Sequence, residues 1–259
     1  MDGTRIGCPV YAFQRAGSTM DLAHRLAAEG AAEGTLVWAG RQEQGRGRLG
    51  RVWLSPPGGA YFSLILRPSR PLAEISQLAL VVGLAVAEAI RQVTNLVPSI
   101  RWPNDVLIEG KKVVGILVES RTQFADAPPS VPRSLPSIVV GIGINVTTDP
   151  RDLPDTAASL TTLNSNLEPR TSKLSYELTG AVCRHLQSWY DAWTVQGFVP
   201  IRDALRSWIG MFGQPVRLSA GSEQVEGTVA DLDETGRLLV RLDAGLIRAF
   251  DMAEVTLLR

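Results

Sequence analysis

Cysteine is nearly absent, occurring only at Cys8 and Cys183. Two isolated thiols supply neither a disulfide framework nor a metal-ligand spacing, so each is expected to be an ordinary buried thiol in a reducing compartment. Histidine is as scarce, at His24 and His185. Neither stands in a Ser-His-Asp or Cys-His arrangement, and His185 falls on the apolar side of a helical pattern, where a satisfied core or boundary residue is expected. There is no charge excess, since 26 Lys+Arg balance 26 Asp+Glu. A chain held mainly on nucleic acid usually carries a basic surplus. No window of 18 uncharged apolar residues appears, so no transmembrane helix is expected. The first residues, MDGTRIGCPVYAF, lack the basic-then-apolar form of a signal peptide. The default expectation is a cytoplasmic protein. Lysine is confined to Lys111, Lys112 and Lys173, leaving 23 arginines among the basic residues. A single arginine therefore says little here, whereas a lysine pair is harder to dismiss.

What the chain does have is apolar material: 45% hydrophobic residues in 259, enough for a sizeable core. Val10 to Arg15 has strand character. Ser18-Thr19-Met20-Asp21 has the form of a helix start, a hydroxyl cap with an acid three residues on, and that helix should end at Gly30. Thr35 to Arg41 and Ala60 to Arg67 are β-rich. Ile75 to Val93 is apolar nearly all round and predicts a buried helix. Residues 100–102, 106–108, 112–119 and 138–146 predict further strands, with Glu109-Gly110 as a hairpin turn. Residues 121–137 are proline-rich and predict a surface excursion, and 147–170 predict a second loop. The spacing of Leu174, Leu178, Ala181, His185, Trp189 and Trp193 predicts an amphipathic helix over 172–196, and 201–209 a shorter one. After Gly213 five short β-rich runs (PVRLS, VEGTVADL, RLLVRL, LIRAF, VTLL) predict a small barrel. The fold class is α+β, with a mixed α+β domain over 1–212 and a barrel over 213–259.

Three segments carry chemistry. Arg41, Arg46, Arg48 and Arg51 alternate with Gly45, Gly47 and Gly50. Glycine lets the backbone approach a ligand, and guanidinium forks pair with phosphate or carboxylate oxygens. No Gly-Lys-Ser/Thr closes the segment and no dinucleotide fingerprint opens a helix, so an anion clamp inside a folded domain is the reading that remains. Arg101-Trp102-Pro103-Asn104-Asp105 is followed by Lys112 and Gly115. Pro103 breaks the strand, and across a hairpin Lys112 can share a side with Asp105, giving a carboxylate, an amide and an ammonium for a metal-bound triphosphate and a nucleophilic amine. Finally, VVGIGINV over 139–146 is an apolar strand with Gly141 and Gly143 on one face, against which something flat can pack.

In order and spacing these segments, with Ser18-Thr19 and Lys112-Val113-Val114-Gly115-Ile116-Leu117-Val118-Glu119, resemble a bacterial biotin protein ligase (biotin–acetyl-CoA-carboxylase ligase) over essentially the whole chain. The resemblance implies a class II synthetase-like mixed sheet with packed helices and a C-terminal SH3-like β-barrel. It also implies a two-step reaction, in which biotin and Mg-ATP give biotinyl-5′-AMP, and a lysine of a biotin carboxyl carrier protein then takes the biotinyl group. By the same resemblance Lys112, Arg48 and Asp105 are the catalytic candidates. Ser18, Thr19, Gln42, Gly45, Arg46, Arg48, Trp53, Lys112, Gly115, Gly141 and Gly143 are expected at biotin, and Arg46, Arg48, Arg51, Asn104, Lys112 and Asn145 at the adenylate. Magnesium is expected with ATP, without a direct protein ligand assigned. Met20 departs from the pattern, standing where a polar residue often follows Ser-Thr. The barrel is not carried into the site. No helix-turn-helix precedes Tyr11, so DNA binding is not expected; nor is a membrane, and the resemblance allows a weak homodimer through a sheet edge. Three alternatives stay open: a lipoate or octanoate ligase of the same fold family, a biotin-binding regulator without catalysis, and an anion-binding scaffold without turnover.

Overall fold

Alternation of apolar residues with small or polar ones builds a mixed sheet that is covered unequally on its two faces. The computed structural model describes residues 5–121, 137–167, 172–220, 223–243, 245–251 and 254–258. The elements run β1 (Val10–Phe13), α1 (Thr19–Ala28), β2 (Leu36–Ala39), β3 (Gly59–Leu66), α2 (Leu78–Thr94), β4 (Ser99–Arg101), β5 (Asp105–Ile108), β6 (Lys111–Arg121) and β7 (Ser137–Asn145). Then come α3 (Leu160–Leu163), α4 (Ser172–Gln196), α5 (Val199–Leu205), β8 (Pro215–Ala220), β9 (Glu223–Leu232), β10 (Leu238–Arg241), β11 (Ile247–Phe250) and β12 (Glu254–Leu257). The first seven strands form one sheet in the order β1-β2-β3-β7-β6-β5-β4. Only β1 and β2 run parallel; the other pairs are antiparallel.

One face carries the main core. Ile138, Val140, Ile142 and Ile144 of β7 join Leu78, Val82, Leu84, Val86 and Ile90 of α2 and Leu178 of α4, all buried. With its preceding turn α2 is long and apolar enough to cross a membrane by length and composition, but 72% of that window is buried inside the fold. The opposite face is covered only in part. Met20, Ala23 and Ala27 of α1 pack on Val37, Ile65 and Val139. Past the reach of α1 the sheet stays open, and the candidate site lies there.

The remaining five strands form an antiparallel sheet in the order β11-β10-β9-β8-β12. Trp102, buried in the first sheet's core, donates from Nε1 to Gly236 O at 3.0 Å, and Ile100 N donates to Trp208 O at 2.7 Å. The α+β class, the mixed sheet and the small five-stranded unit are as expected.

Several local expectations are corrected. Ser18 stands at the N-cap of α1 but makes no side-chain cap bond. Strand β1 ends at Phe13, and the helix expected over 201–209 is Val199–Leu205. The loop after β7 holds α3 and a 3-10 turn at Pro150–Asp152. Cys8 is exposed; Cys183 is buried, and that burial pushes its thiol up to about 12. The Glu109-Gly110 turn is present, with both residues at positive φ (50° and 74°), as a tight hairpin requires. His185 is a half-buried boundary residue between Gln92 and Glu88. The proline-rich excursion falls, apart from its ends, outside the described residues.

Candidate active site

Strand register supplies the frame. Arg101, Asp105, Gly115, Gly143 and Tyr61 fall in one row across β4, β5, β6, β7 and β3. Residues in such a row share a face of the sheet. Two adjacent glycines in mid-row leave a bare shelf of backbone. The Trp53 ring lies on it: a Cβ added to Gly115 would stand 2.6 Å from Trp53 Cζ3, and one added to Gly143 only 2.3 Å from Nε1. That indole Nε1 is buried without a partner. Gly141, one row on, is covered by Met20, whose Sδ would be 2.7 Å from its Cβ. The position that departs from the family pattern therefore supplies an apolar wall.

At one end of the shelf lies a neutral polar network. Thr19 N and Oγ1 both donate to Gln42 Oε1, at 2.8 and 3.0 Å. Ser63 Oγ donates to Thr19 Oγ1 at 2.8 Å, and Gln42 Nε2 donates to Ser55 Oγ at 2.9 Å. Ser18 Oγ is buried with no partner at all. A buried hydroxyl left unpaired costs roughly 1–3 kcal/mol, so a ligand able to pair with it gains that much.

The other end is cationic. A β-bulge between Val106 and Leu107 shifts the β5–β6 register so that Lys112 stands opposite Leu107, on the side of Asp105. Its backbone is fixed by Thr156 and Ala158, through bonds of 2.9 and 3.1 Å. Lys112 Nζ is 2.7 Å from Asp105 Oδ1 and 5.2 Å from the centre of the Trp53 ring. Arg101 holds the other Asp105 oxygen at 2.6 Å. Arg48 Nη1 donates to Asn104 Oδ1 at 2.8 Å, and Asn104 Nδ2 donates to Ile116 O at 3.0 Å.

These ends meet in one cavity of about 410 Å³. Ser18, Thr19, Gln42, Arg46, Arg48, Arg51, Trp53, Asn104, Asp105, Lys112, Gly115, Gly141 and Gly143 all line it. Gly45 and Asn145 are not on its wall. Gly45 is needed by the loop itself, since a Cβ there would meet Trp53 O at 2.3 Å. Asn145 is buried at the end of β7, its Oδ1 unpaired. The glycine-arginine segment forms a narrow turn, with Gly47 N bonded to Arg51 O, Trp53 N to Gly45 O, and Leu49 at φ 56°.

Arg46 is held from below. Its Nη2 lies 3.1 Å from both Asp21 Oδ1 and Glu119 Oε2, and His24 Nε2 meets the same Glu119 oxygen at 3.0 Å. A carboxylate only accepts, so the neutral imidazole carries its hydrogen on Nε2, leaving the buried Nδ1 unpaired. Burial holds the His24 pKa below 6.5, and Arg121 and Arg46 act the same way, against the hydrogen bond and charge of Glu119. The unfolded chain thus takes up this proton before the folded one does, and stability drops as pH falls through 6.5 towards the folded value. Melting temperature is expected to fall between about pH 7 and pH 5.5, and to fall less in His24→Gln. Equal slopes in thermal scans of the two proteins would contradict this.

Comparison with known proteins places the chain in a family. Residues 12–127 match the biotin/lipoate A/B protein ligase family, and residues 211–258 the biotin protein ligase C terminal domain. The bifunctional ligase/repressor BirA of Bacillus subtilis is 35% identical over 238 residues, covering 90% of this chain and 69% of that protein. The biotin–[acetyl-CoA-carboxylase] ligase of Mycobacterium tuberculosis is 30% identical over 241 residues, covering 90% and 82%. The chain belongs to the biotin protein ligase family. A solved member, the biotin protein ligase from Aquifex aeolicus in complex with biotin and ATP, superimposes with a TM-score of 0.77 at 31% identity, covering 96% of this chain and 98% of that one.

Within this biotin protein ligase fold, the sequence reading did not name Ser63, Val255 or Thr256, and gave Arg101 no role beyond its place before Trp102. Ser63 is the one hydroxyl among the aliphatics of SLIL in β3, a buried polar interruption that was visible as such. Arg101 follows from strand pairing, one step along the row from Asp105. Val255 and Thr256 reach the cavity from β12, and no local pattern announces that approach.

Proposed function

We propose that this protein activates biotin as biotinyl-5′-AMP and transfers the biotinyl group to a lysine of a biotin carboxyl carrier protein. The observation that carries the reading is one cavity with a polar network and the unpaired Ser18 hydroxyl at one end, a flat shelf in the middle and converging cations at the other. The biotin ureido head would sit among Ser18, Thr19 and Gln42, its rings against Gly115, Gly143 and Trp53, and its carboxylate beside Lys112 and Arg48. In the first step a biotin carboxylate oxygen bonds to the α-phosphorus of ATP and pyrophosphate leaves. In the second the acceptor amine attacks the acyl carbon, AMP leaves and the amine gives up a proton.

Two like charges 4 Å apart repel by about 4 kcal/mol at an effective dielectric near 20, and preplaced cations offset that cost. Arg51 and Asn104 would serve the nucleotide side. Asp105 fixes Lys112 and Arg101, and is the only acidic residue among the described ones that line the cavity. Among the described residues no three metal-ligating side chains cluster. Magnesium would therefore be held by ATP phosphates and water with at most Asp105, an arrangement this ion tolerates, and it would neutralise phosphate charge. The domain limits 1–212 and 213–259, a cytoplasmic site of action and a weak homodimer belong to the same proposal.

The direct test mixes the protein with biotin, Mg-ATP and a carrier domain and weighs the carrier by mass spectrometry; a carrier that gains no biotinyl group would reject the reading. Arg48→Gly is expected to release biotinyl-AMP about tenfold faster, the scale of one charge-assisted contact, and to label proteins other than the carrier. Retention of the adenylate as in the unaltered protein would show that Arg48 does not hold it.

A further inference from the structure

Asp21, His24 and Glu119 take no part in the reaction as proposed, yet they converge on one arginine of the loop. Asp21 and His24 lie on adjoining turns of α1, Glu119 lies near the end of β6, and Arg46 opens the turn that carries Arg48, Arg51 and Trp53. Arg46 Nη2 reaches a carboxylate oxygen of each acid at 3.1 Å, so this loop cation is spent inside the protein. The two pairs differ in strength. The Asp21 side chain is 47% exposed, and exposed pairs contribute little; the Glu119 side chain is 26% exposed and is further fixed by the buried His24. His24 Nε2 and Arg46 Nη2 share Glu119 Oε2, so the imidazole aims that oxygen at the loop. Arg121, 3.6 Å from Asp21, brings the charges to two cations and two anions.

We propose that Glu119, aimed by His24 and assisted by Asp21, is a positioning residue that latches Arg46 and so holds the glycine-arginine loop down across the cavity. Arg46 is then an anchor of the loop, and the anion contacts fall to Arg48 and Arg51. The latch rests on the proposed function only for what lies beneath the loop.

The test is amide exchange over residues 45–53 in the free protein, for Glu119→Gln and for Asp21→Asn with Glu119→Gln. Exchange there should rise about tenfold in Glu119→Gln and further in the double variant, with α4 unchanged. In the same variants biotinyl-AMP should leave about tenfold faster, while its rate of formation at saturating biotin and ATP stays within about twofold. A merely structural role would not divide release from formation in this way. Should Glu119→Gln fail to fold, Asp21→Asn at the exposed end must still raise loop exchange, by about twofold. Exchange over 45–53 that is flat in every folded variant overturns the latch. An unaltered protein that makes no adenylate ends the functional reading and leaves the exchange comparison intact.

Discussion

Lys112→Ala is expected to slow formation of biotinyl-AMP by about two orders of magnitude or more, the scale of losing one preorganised electrostatic donor. Lys112 Nζ lies between Asp105 and the face of Trp53, at the end of the cavity where a carboxylate and a phosphate would have to meet. The fold should survive. The backbone hydrogen bonds of Lys112 do not depend on its side chain, and Asp105 keeps Arg101 at 2.6 Å. Loss of the ammonium also frees the Trp53 ring from a cation–π contact, so biotin affinity should weaken by a smaller factor. Pyrophosphate release at saturating biotin and ATP measures the effect. Release at the original rate would remove Lys112 from the first step.

How far the sequence carries can be judged from particular residues. The helix over 172–196 and the strand over 138–146 were legible because burial imposes a period on many consecutive residues. The glycine shelf and the cationic end of the cavity were legible because glycine inside a strand and proline before an Asn-Asp pair are locally unfavourable and so call for a reason. Ser18 shows the limit of local rules. Its sequence context is that of a capping box, yet its hydroxyl is left unpaired at the cavity. A cap bond would use this oxygen as the acceptor of a helix N–H; outside the cap, the hydroxyl keeps both its hydrogen and its lone pairs unspent at the cavity wall.

Arg46 shows a second limit. Four loop arginines look alike in sequence, and what separates Arg46 is an acid 25 residues before it and another 73 residues after it. Only the sheet order, which brings β6 beside β7 and under α1, makes those partners neighbours. Lys112 is intermediate. Its place near Asp105 was visible from a hairpin, but the face it takes depends on a bulge at Val106–Leu107 that composition does not announce. Thr256 and Val255 lie beyond any such inference, since their approach depends on how the second sheet docks through Trp102 and Gly236.

The glycine shelf leads to an equally sharp expectation. Gly115→Val should weaken biotin binding by about 100-fold while the melting temperature changes little. Valine suits a strand interior, and replacing glycine there recovers roughly 0.5–1 kcal/mol of backbone entropy. The new Cβ would stand 2.6 Å from Trp53 Cζ3, so the indole must leave its seat, as a side chain on a loop can do without disturbing the sheet. A ligand ring has no such escape, because its ureido end is tied to the polar network and its carboxylate to the cations. Forcing a branched side chain under it costs about 3 kcal/mol by the measure of overpacked cores, which is about a hundredfold in affinity. Gly143→Val fills the same space from β7, opposite Gly115. The two substitutions should therefore combine to less than the sum of their separate effects, as changes that share one void do. Calorimetric titration of biotin into the three variants measures this. Unaltered affinity in Gly115→Val would mean that Trp53 rests on the glycines as packing alone and that the ring binds elsewhere.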